Sequence, residues 1–156
     1  TEEFIVENLK AIGVEARIQN YDFSIIFGAF EDNSPRAIGD YDMLIFDRGF
    51  TTEPQGYNFD AYHSSRIPTE SNPTGGNYFR WENPKVDAAL ELAGSSFDTQ
   101  VRKDAYCEVG QAVLDDMPQI YLYLFQDNYG IADSLTGYTL NTWGSMSWGA
   151  QNWQLK

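Results

Sequence analysis

The segment from Asn83 to Tyr123 constrains the fold more than any other part of the chain. It opens with Asn83-Pro84, which places a capping side chain before a proline at the first helical position. This pair predicts the start of a helix. Apolar residues then recur at helical spacing, at Val86, Leu90 and Ala93. Gly94 follows at a place where a glycine commonly ends a helix.

A second helix is predicted directly after the first. Asp98 is a suitable N-cap, and Pro118 must end the helix near Asp116 or Met117. One stripe of this helix is apolar and comprises Val101, Ala105, Val109 and Val113. Residues 120–125 are rich in aromatic and β-branched residues, which predicts a strand. The segment therefore predicts two capped helices, each with an inward face, followed by a strand.

The remaining chain alternates predicted helices and strands. Helices are predicted at residues 3–12, with their apolar side chains on one side, and from Asp22 to Phe30. The predicted strands cover residues 14–19, 41–46, 138–140 and 151–155. The 41–46 strand is nearly all apolar, as expected of a strand covered on both faces. This order predicts an α/β fold, with a small mixed β-sheet flanked by helices, in a single domain spanning residues 1–156.

Residues 47–82 show neither helical nor strand periodicity. They are rich in Gly, Pro, Asn, Ser and Thr, with aromatic residues interleaved throughout. Long irregular segments in compact domains are usually functional or disordered, and disordered segments contain few aromatic residues. We therefore expect an ordered, functional loop.

The charge and the rare residue types exclude several functions. The net charge is −13, which would repel a nucleic-acid backbone. Cys107 is the one cysteine, and we expect it to be buried within the second predicted helix. His63 is the one histidine, which makes a zinc site improbable. The chain also has no recognisable catalytic motif. We expect no enzymatic activity, no metal and no cofactor.

Five motifs follow one another along nearly the whole chain. They are ENLKAIGVEARIQNYDFSIIF, GDYDMLIFDRGF, NPTGGNYFRWENPKVDAAL, DTQVRKDAYCEVGQAVLDDMPQIYLYLF and GYTLN. In this order and spacing the chain resembles the C-terminal lobe of the oligopeptide-binding family (family 5) of ABC-transporter solute-binding proteins. The fourth motif is the most specific of the five. Most of these residues are caps, core positions and stops, so the resemblance concerns the fold more than the ligand.

The resemblance implies one periplasmic-binding-protein-like lobe of a two-lobed protein whose lobes close on a ligand. The other lobe and the signal sequence would lie outside this chain, and the isolated lobe would fold but bind weakly. The resemblance further implies an extracytoplasmic, lipid-anchored monomer. Its partners would be a small-molecule ligand, either a peptide or an oligosaccharide, and an ABC permease in the membrane.

The resemblance also indicates where a ligand would lie. The candidate ligand-binding residues are Phe46, Asp47, Arg48, Gly49, Phe50, Glu53, Asn77 and Tyr78. Peptide binders of the family have a tryptophan and an aspartate in the loop after the second strand, and the aspartate pairs with the peptide ammonium. This chain has no tryptophan there, so Phe46 or Phe50 would replace it. Asp47 or Glu53 could receive an ammonium or a sugar hydroxyl, or Asp47-Arg48 could form a plain surface turn.

Three alternatives to a peptide binder stay open at this point. One is an oligosaccharide binder of the same family. Another is a carbohydrate-active enzyme, which the many acids and the 15% aromatic content favour, although no carboxylate pair is placed by a motif. The third is a sensor domain that passes the ligand to a receptor. Neighbouring permease and ATPase genes would separate transport from sensing.

Overall fold

The computed structural model describes residues 1–49, 51–124, 126, 128–141 and 147–156. Within them the chain forms six α-helices: α1 (Glu2–Ala11), α2 (Phe23–Ile26), α3 (Pro35–Ile38), α4 (Pro54–Tyr62), α5 (Pro84–Ser95) and α6 (Thr99–Asp116). Two 3-10 helices cover Ser64–Arg66 and Ala150–Asn152. Strands β1 (Leu135–Thr136) and β2 (Gln154–Leu155) form a two-stranded antiparallel sheet. None of the described helices is long and apolar enough to cross a bilayer.

Helices α5 and α6 confirm the two helices predicted between Asn83 and Pro118. The Asn83 side chain accepts a hydrogen bond from Lys85 N at 3.1 Å, and Asp98 accepts from Gln100 N at 2.8 Å. Helix α6 ends at Asp116, and its C-cap Met117 is in the left-handed conformation (φ 50°), directly before Pro118. Helix α5 runs one residue past the predicted stop at Gly94.

The hydrophobic core lies between α4, α5 and α6. Helices α5 and α6 pack against each other, and α4 packs on α5. The buried residues are Ala61, Tyr62, Val86, Ala89, Leu90, Ala93, Ala105, Val109 and Val113. The predicted inward faces of α5 and α6 are confirmed, except that Val101 is only half-buried. Asp116 ties the end of α6 to the start of α5, because its carboxylate accepts from Trp81 Nε1 and Asn83 Nδ2, both at 3.0 Å.

The predicted mixed sheet is wrong for the described residues. Residues 14–19, 41–46, 120–124 and 138–140 form no strand, and only Gln154–Leu155 of the last predicted strand is in a sheet. A strand needs a neighbour for its backbone N–H and C=O groups, and none of the described segments pairs with these stretches. Many of their apolar side chains are exposed, as Met43 (60%) and Leu124 (78%) show. Phe125 lies outside the described residues.

Three expectations about burial and helix length also differ from the structure. Helix α1 forms as predicted, but it buries none of its residues, and Phe4 is 71% exposed. Helix α2 ends at Ile26, well before the predicted Phe30. Cys107 is exposed, because it lies on the side of α6 away from the buried stripe.

A helix occupies part of the segment that lacks periodicity. Helix α4 begins at Pro54 after the N-cap Glu53, and its inward face is only the short Ala61-Tyr62 end. The prediction of a continuous irregular loop over 47–82 is therefore wrong. Helix α4 separates the two stretches that carry the candidate ligand residues.

Candidate functional site

The candidate ligand residues lie on two stretches of chain that flank α4. Residues 46–49 precede α4, and residues 76–78 form a turn before α5. Phe50 lies outside the described residues. The structure brings Phe46, Arg48 and Tyr78 together, and it gives Glu53 and Asn77 structural roles.

Tyr78 is the centre of the group. Its ring meets the Phe46 ring edge to face, with centroids 6.4 Å apart. The guanidinium carbon of Arg48 lies 5.8 Å from the Tyr78 ring centroid and 5.1 Å from that of Tyr57. The Tyr41 hydroxyl donates to the Tyr78 carbonyl. Cation–π contacts and edge-to-face pairs of this kind stabilise a fixed arrangement of rings.

Arg48 connects the two stretches. Its NH1 group donates to the Gly76 carbonyl at 3.3 Å, and its NH2 group lies 3.4 Å from Asp60 Oδ2. Both contacts are long, and the Arg48 side chain is 21% exposed. The Arg48 guanidinium therefore keeps part of its hydrogen-bonding capacity for another group.

Sequence reasoning missed the pair that supports this turn, Asp60 and Arg66. Arg66 donates to Asp60 Oδ1 through Nε at 3.0 Å and through NH2 at 2.8 Å. Gly76 lies against this pair, because a Cβ there would lie 1.9 Å from Asp60 Oδ2 and the Asp60 carboxylate would have to shift. The adjacent glycines Gly75 and Gly76 were the available signal, since they indicate a close approach of the backbone to another group.

Asn77 is fully buried and holds the turn from inside. Its Nδ2 donates to the carbonyls of His63 at 3.2 Å and Trp81 at 2.9 Å. Its Oδ1 accepts from Trp81 N at 3.3 Å. With these bonds made inside the protein, Asn77 holds the turn that carries Tyr78.

Glu53 is the N-cap of α4. Its carboxylate accepts from Gln55 N at 3.1 Å and pairs with the Arg102 guanidinium of α6. Both contacts are made to Oε1, and the Glu53 side chain is 64% exposed. Asp47, the other acid predicted to anchor an ammonium, is also exposed, as is Gly49.

Glu53 gives a prediction about pH. The hydrogen bond from Gln55 N, followed by that from Arg102, holds the pKa of the Glu53 carboxyl below its ordinary value. A depressed folded-state pKa makes the cap effective at neutral pH, and its contribution is lost as the pH falls through the folded-state pKa. Arg102→Gln is expected to raise the pKa of Glu53, measured by NMR titration of its side-chain carboxyl carbon. The prediction fails if the pKa of Glu53 shifts no more in Arg102→Gln than in Arg17→Gln, which changes an exposed arginine elsewhere.

A cavity of about 140 Å³ opens between α4 and α6, with Tyr62 and Tyr121 among its lining residues. The hydroxyls of Tyr62 and Tyr121 are hydrogen-bonded there at 2.9 Å, and burial raises the pKa of Tyr62. None of the candidate ligand residues lines this cavity. It is therefore separate from the group around Tyr78.

His63 is buried next to two acids of α5. Its Nδ1 accepts from Ser65 N at 3.1 Å, which makes Nε2 the protonated nitrogen, and Nε2 lies 3.5 Å from Glu91 Oε1. Asp87 accepts instead from Ser64 N at 2.8 Å. Within the described part of the chain, no group of three or more His, Cys, Asp and Glu side chains is arranged to hold a metal ion.

Comparison with known proteins gives two relatives. The chain is 28% identical over 134 residues to the oligopeptide-binding protein AppA of Bacillus subtilis strain 168, covering 86% of this chain and 23% of AppA. It is 27% identical over 130 residues to protein XP55 of Streptomyces lividans, covering 83% of this chain and 22% of XP55. The sequence matches no family model, and no solved structure matches significantly. The chain thus spans less than a quarter of the length of the curated relatives that it matches, and it is similar to part of an oligopeptide-binding protein.

Proposed function

We propose that this chain is the ligand-binding lobe of an extracytoplasmic solute-binding protein that delivers oligopeptides to an ABC permease. The observation that carries the proposal is the similarity to an oligopeptide-binding protein over 86% of the chain. In the proposed protein a second lobe closes over the group around Tyr78, and a lipid anchor keeps the monomer at the membrane.

The geometry around Tyr78 supports a binding role. Two separate stretches supply aromatic rings and a partly exposed guanidinium, and the buried Asn77 holds the turn that carries Tyr78. Rigid rings combined with a few polar groups are typical of ligand sites. Such a wall would hold one side of a ligand while the second lobe supplies the other side.

The proposed protein binds its ligand without chemical change. A carbohydrate-active enzyme would need two carboxylates facing a common space. In the region around Tyr78, Asp60 is engaged by Arg66 and Glu53 caps α4. Hydrolysis of any glycoside in a substrate panel by the full-length protein would contradict the non-catalytic role.

Isothermal titration calorimetry of the full-length protein tests the ligand class. We expect di- to pentapeptides to bind with a Kd of about 1 μM or below, and neutral oligosaccharides to give no heat of binding. Binding of oligosaccharides alone would replace the peptide proposal by the oligosaccharide one. If neither class binds, a solute-binding role of this kind is wrong.

A further inference from the structure

The cavity between α4 and α6 is lined by one face of each helix. The residues from α6 recur at spacings of three and four, and they are Tyr106, Val109, Gly110, Val113 and Leu114. The two residues from α4, Asn58 and Tyr62, are also four apart. Residues at these spacings lie on the same side of a helix. Both helices pack against α5, and the cavity is the space that remains between them.

Gly110 keeps this space open. It stands in the middle of the cavity face of α6, and a Cβ there would meet no atom of the surrounding described chain within 4 Å. Close packing therefore does not require a glycine at this position. A glycine also destabilises the interior of a helix relative to alanine. A larger side chain between Tyr106 and Leu114 on this face would occupy the cavity, so the glycine preserves it.

The cavity is uncharged and offers a small number of polar groups. None of the described residues that line it is acidic or basic. The hydroxyls of Tyr62 and Tyr121 share one hydrogen bond of 2.9 Å. A hydroxyl has one donor and two acceptor sites, so this bond leaves Tyr121 with sites for another partner. Asn58 donates through Nδ2 to the Pro54 carbonyl at 2.9 Å, and none of the described residues donates to its Oδ1.

The volume of about 140 Å³ limits a ligand to a single ring. An engineered apolar cavity of about 150 Å³ in another protein binds benzene. The rings of Tyr62, Tyr106 and Tyr121 provide aromatic surface for such a ring. We propose that this cavity binds a small neutral phenol, whose ring lies among the tyrosine and valine side chains and whose hydroxyl hydrogen-bonds to that of Tyr121. The site is separate from the group around Tyr78, so the proposal does not depend on a peptide ligand.

The test follows the binding of p-cresol to the full-length protein by NMR. The methyl signals of Val109 and Val113 report on the cavity, because both residues line it. Toluene is the comparison ligand, since it has the same ring and methyl group without the hydroxyl. The variants are Gly110→Leu, which fills the cavity, and Tyr121→Phe, which removes one hydroxyl. Gly56→Leu is the matched control, because Gly56 is also helical and exposed, with open space at its Cβ position, but does not line the cavity.

We expect p-cresol to shift both valine signals in a saturable way, with a Kd of about 1 mM or below. Gly110→Leu should weaken this binding about tenfold or more, since the added side chain takes the place of the ligand. Gly56→Leu should leave the Kd unchanged. The wild type should bind p-cresol about threefold more tightly than toluene, as one net hydrogen bond implies, and Tyr121→Phe should lose this preference. Each preference compares two ligands on one variant, so a general loss of affinity cancels.

The absence of saturable shifts at Val109 and Val113 in the wild type would overturn the proposal. Binding that is unchanged in Gly110→Leu would also overturn it. Equal binding of p-cresol and toluene by the wild type would reject a phenol as the ligand. If circular dichroism shows that Gly110→Leu does not fold, Tyr121→Phe decides, and a preference that survives there contradicts the proposal. Peptide binding is measured separately by calorimetry, so failure of this site and failure of the proposed function are distinguishable.

Discussion

Replacing Leu90 with alanine is expected to lower the free energy of unfolding by about 2–5 kcal/mol. Leu90 is 0% exposed and belongs to the core between α4, α5 and α6. Alanine would remove buried apolar atoms and leave a cavity that the packed helices can fill only in part. Denaturant unfolding followed by circular dichroism measures the change.

Leu92 provides the control on the same helix. It is 50% exposed, so Leu92→Ala removes the same atoms with little loss of burial. We expect a change of about 0.5 kcal/mol or less. Equal destabilisation by the two substitutions would show that the core does not lie between these three helices.

Asn77→Ala is expected to destabilise the protein by about 3 kcal/mol, because it leaves several buried polar groups without partners. The side chain of Asn77 satisfies the carbonyls of His63 and Trp81 and the Trp81 N–H. The same loss would release the turn that positions Tyr78. The free energy of unfolding and the amide NMR signals of residues 75–81 measure the two effects.

Asn20→Ala is the control, because Asn20 is exposed and we expect its removal to change the stability by about 0.5 kcal/mol or less. A small effect of Asn77→Ala, with unchanged signals for residues 75–81, would contradict the structural role of Asn77. In that case Asn77 would again be a candidate for ligand contact.

The helices that the sequence predicted best are those whose ends are fixed locally. The Asn83 and Asp98 side chains bond to backbone groups two residues ahead, and Pro118 stops α6 without help from distant residues. Helix α4 carries the same signature in Glu53-Pro54, but glutamate is not among the preferred capping residues. Its apolar face is also too short to produce a periodic pattern, so it was missed.

The strands could not be predicted in the same way. Residues 41–46 have the composition of a buried strand, but a strand exists only when another segment lies beside it. The sequence of residues 41–46 alone does not indicate whether another segment pairs with them. The contact of Arg36 with Tyr78 was missed for a related reason. It joins residues that are 42 positions apart in the chain, and no short motif marks a contact over that distance.

The stretches at 41–46 and 120–124 also affect how the molecules behave towards one another. Each displays exposed apolar side chains, Met43 and Ile45 in the first and Ile120 and Leu124 in the second, and such side chains favour association between chains. The net charge of −13 opposes that association by long-range repulsion. Because about 1 M salt reduces the range of such repulsion to about 3 Å, we expect the colloidal stability of the chain to fall as the ionic strength rises.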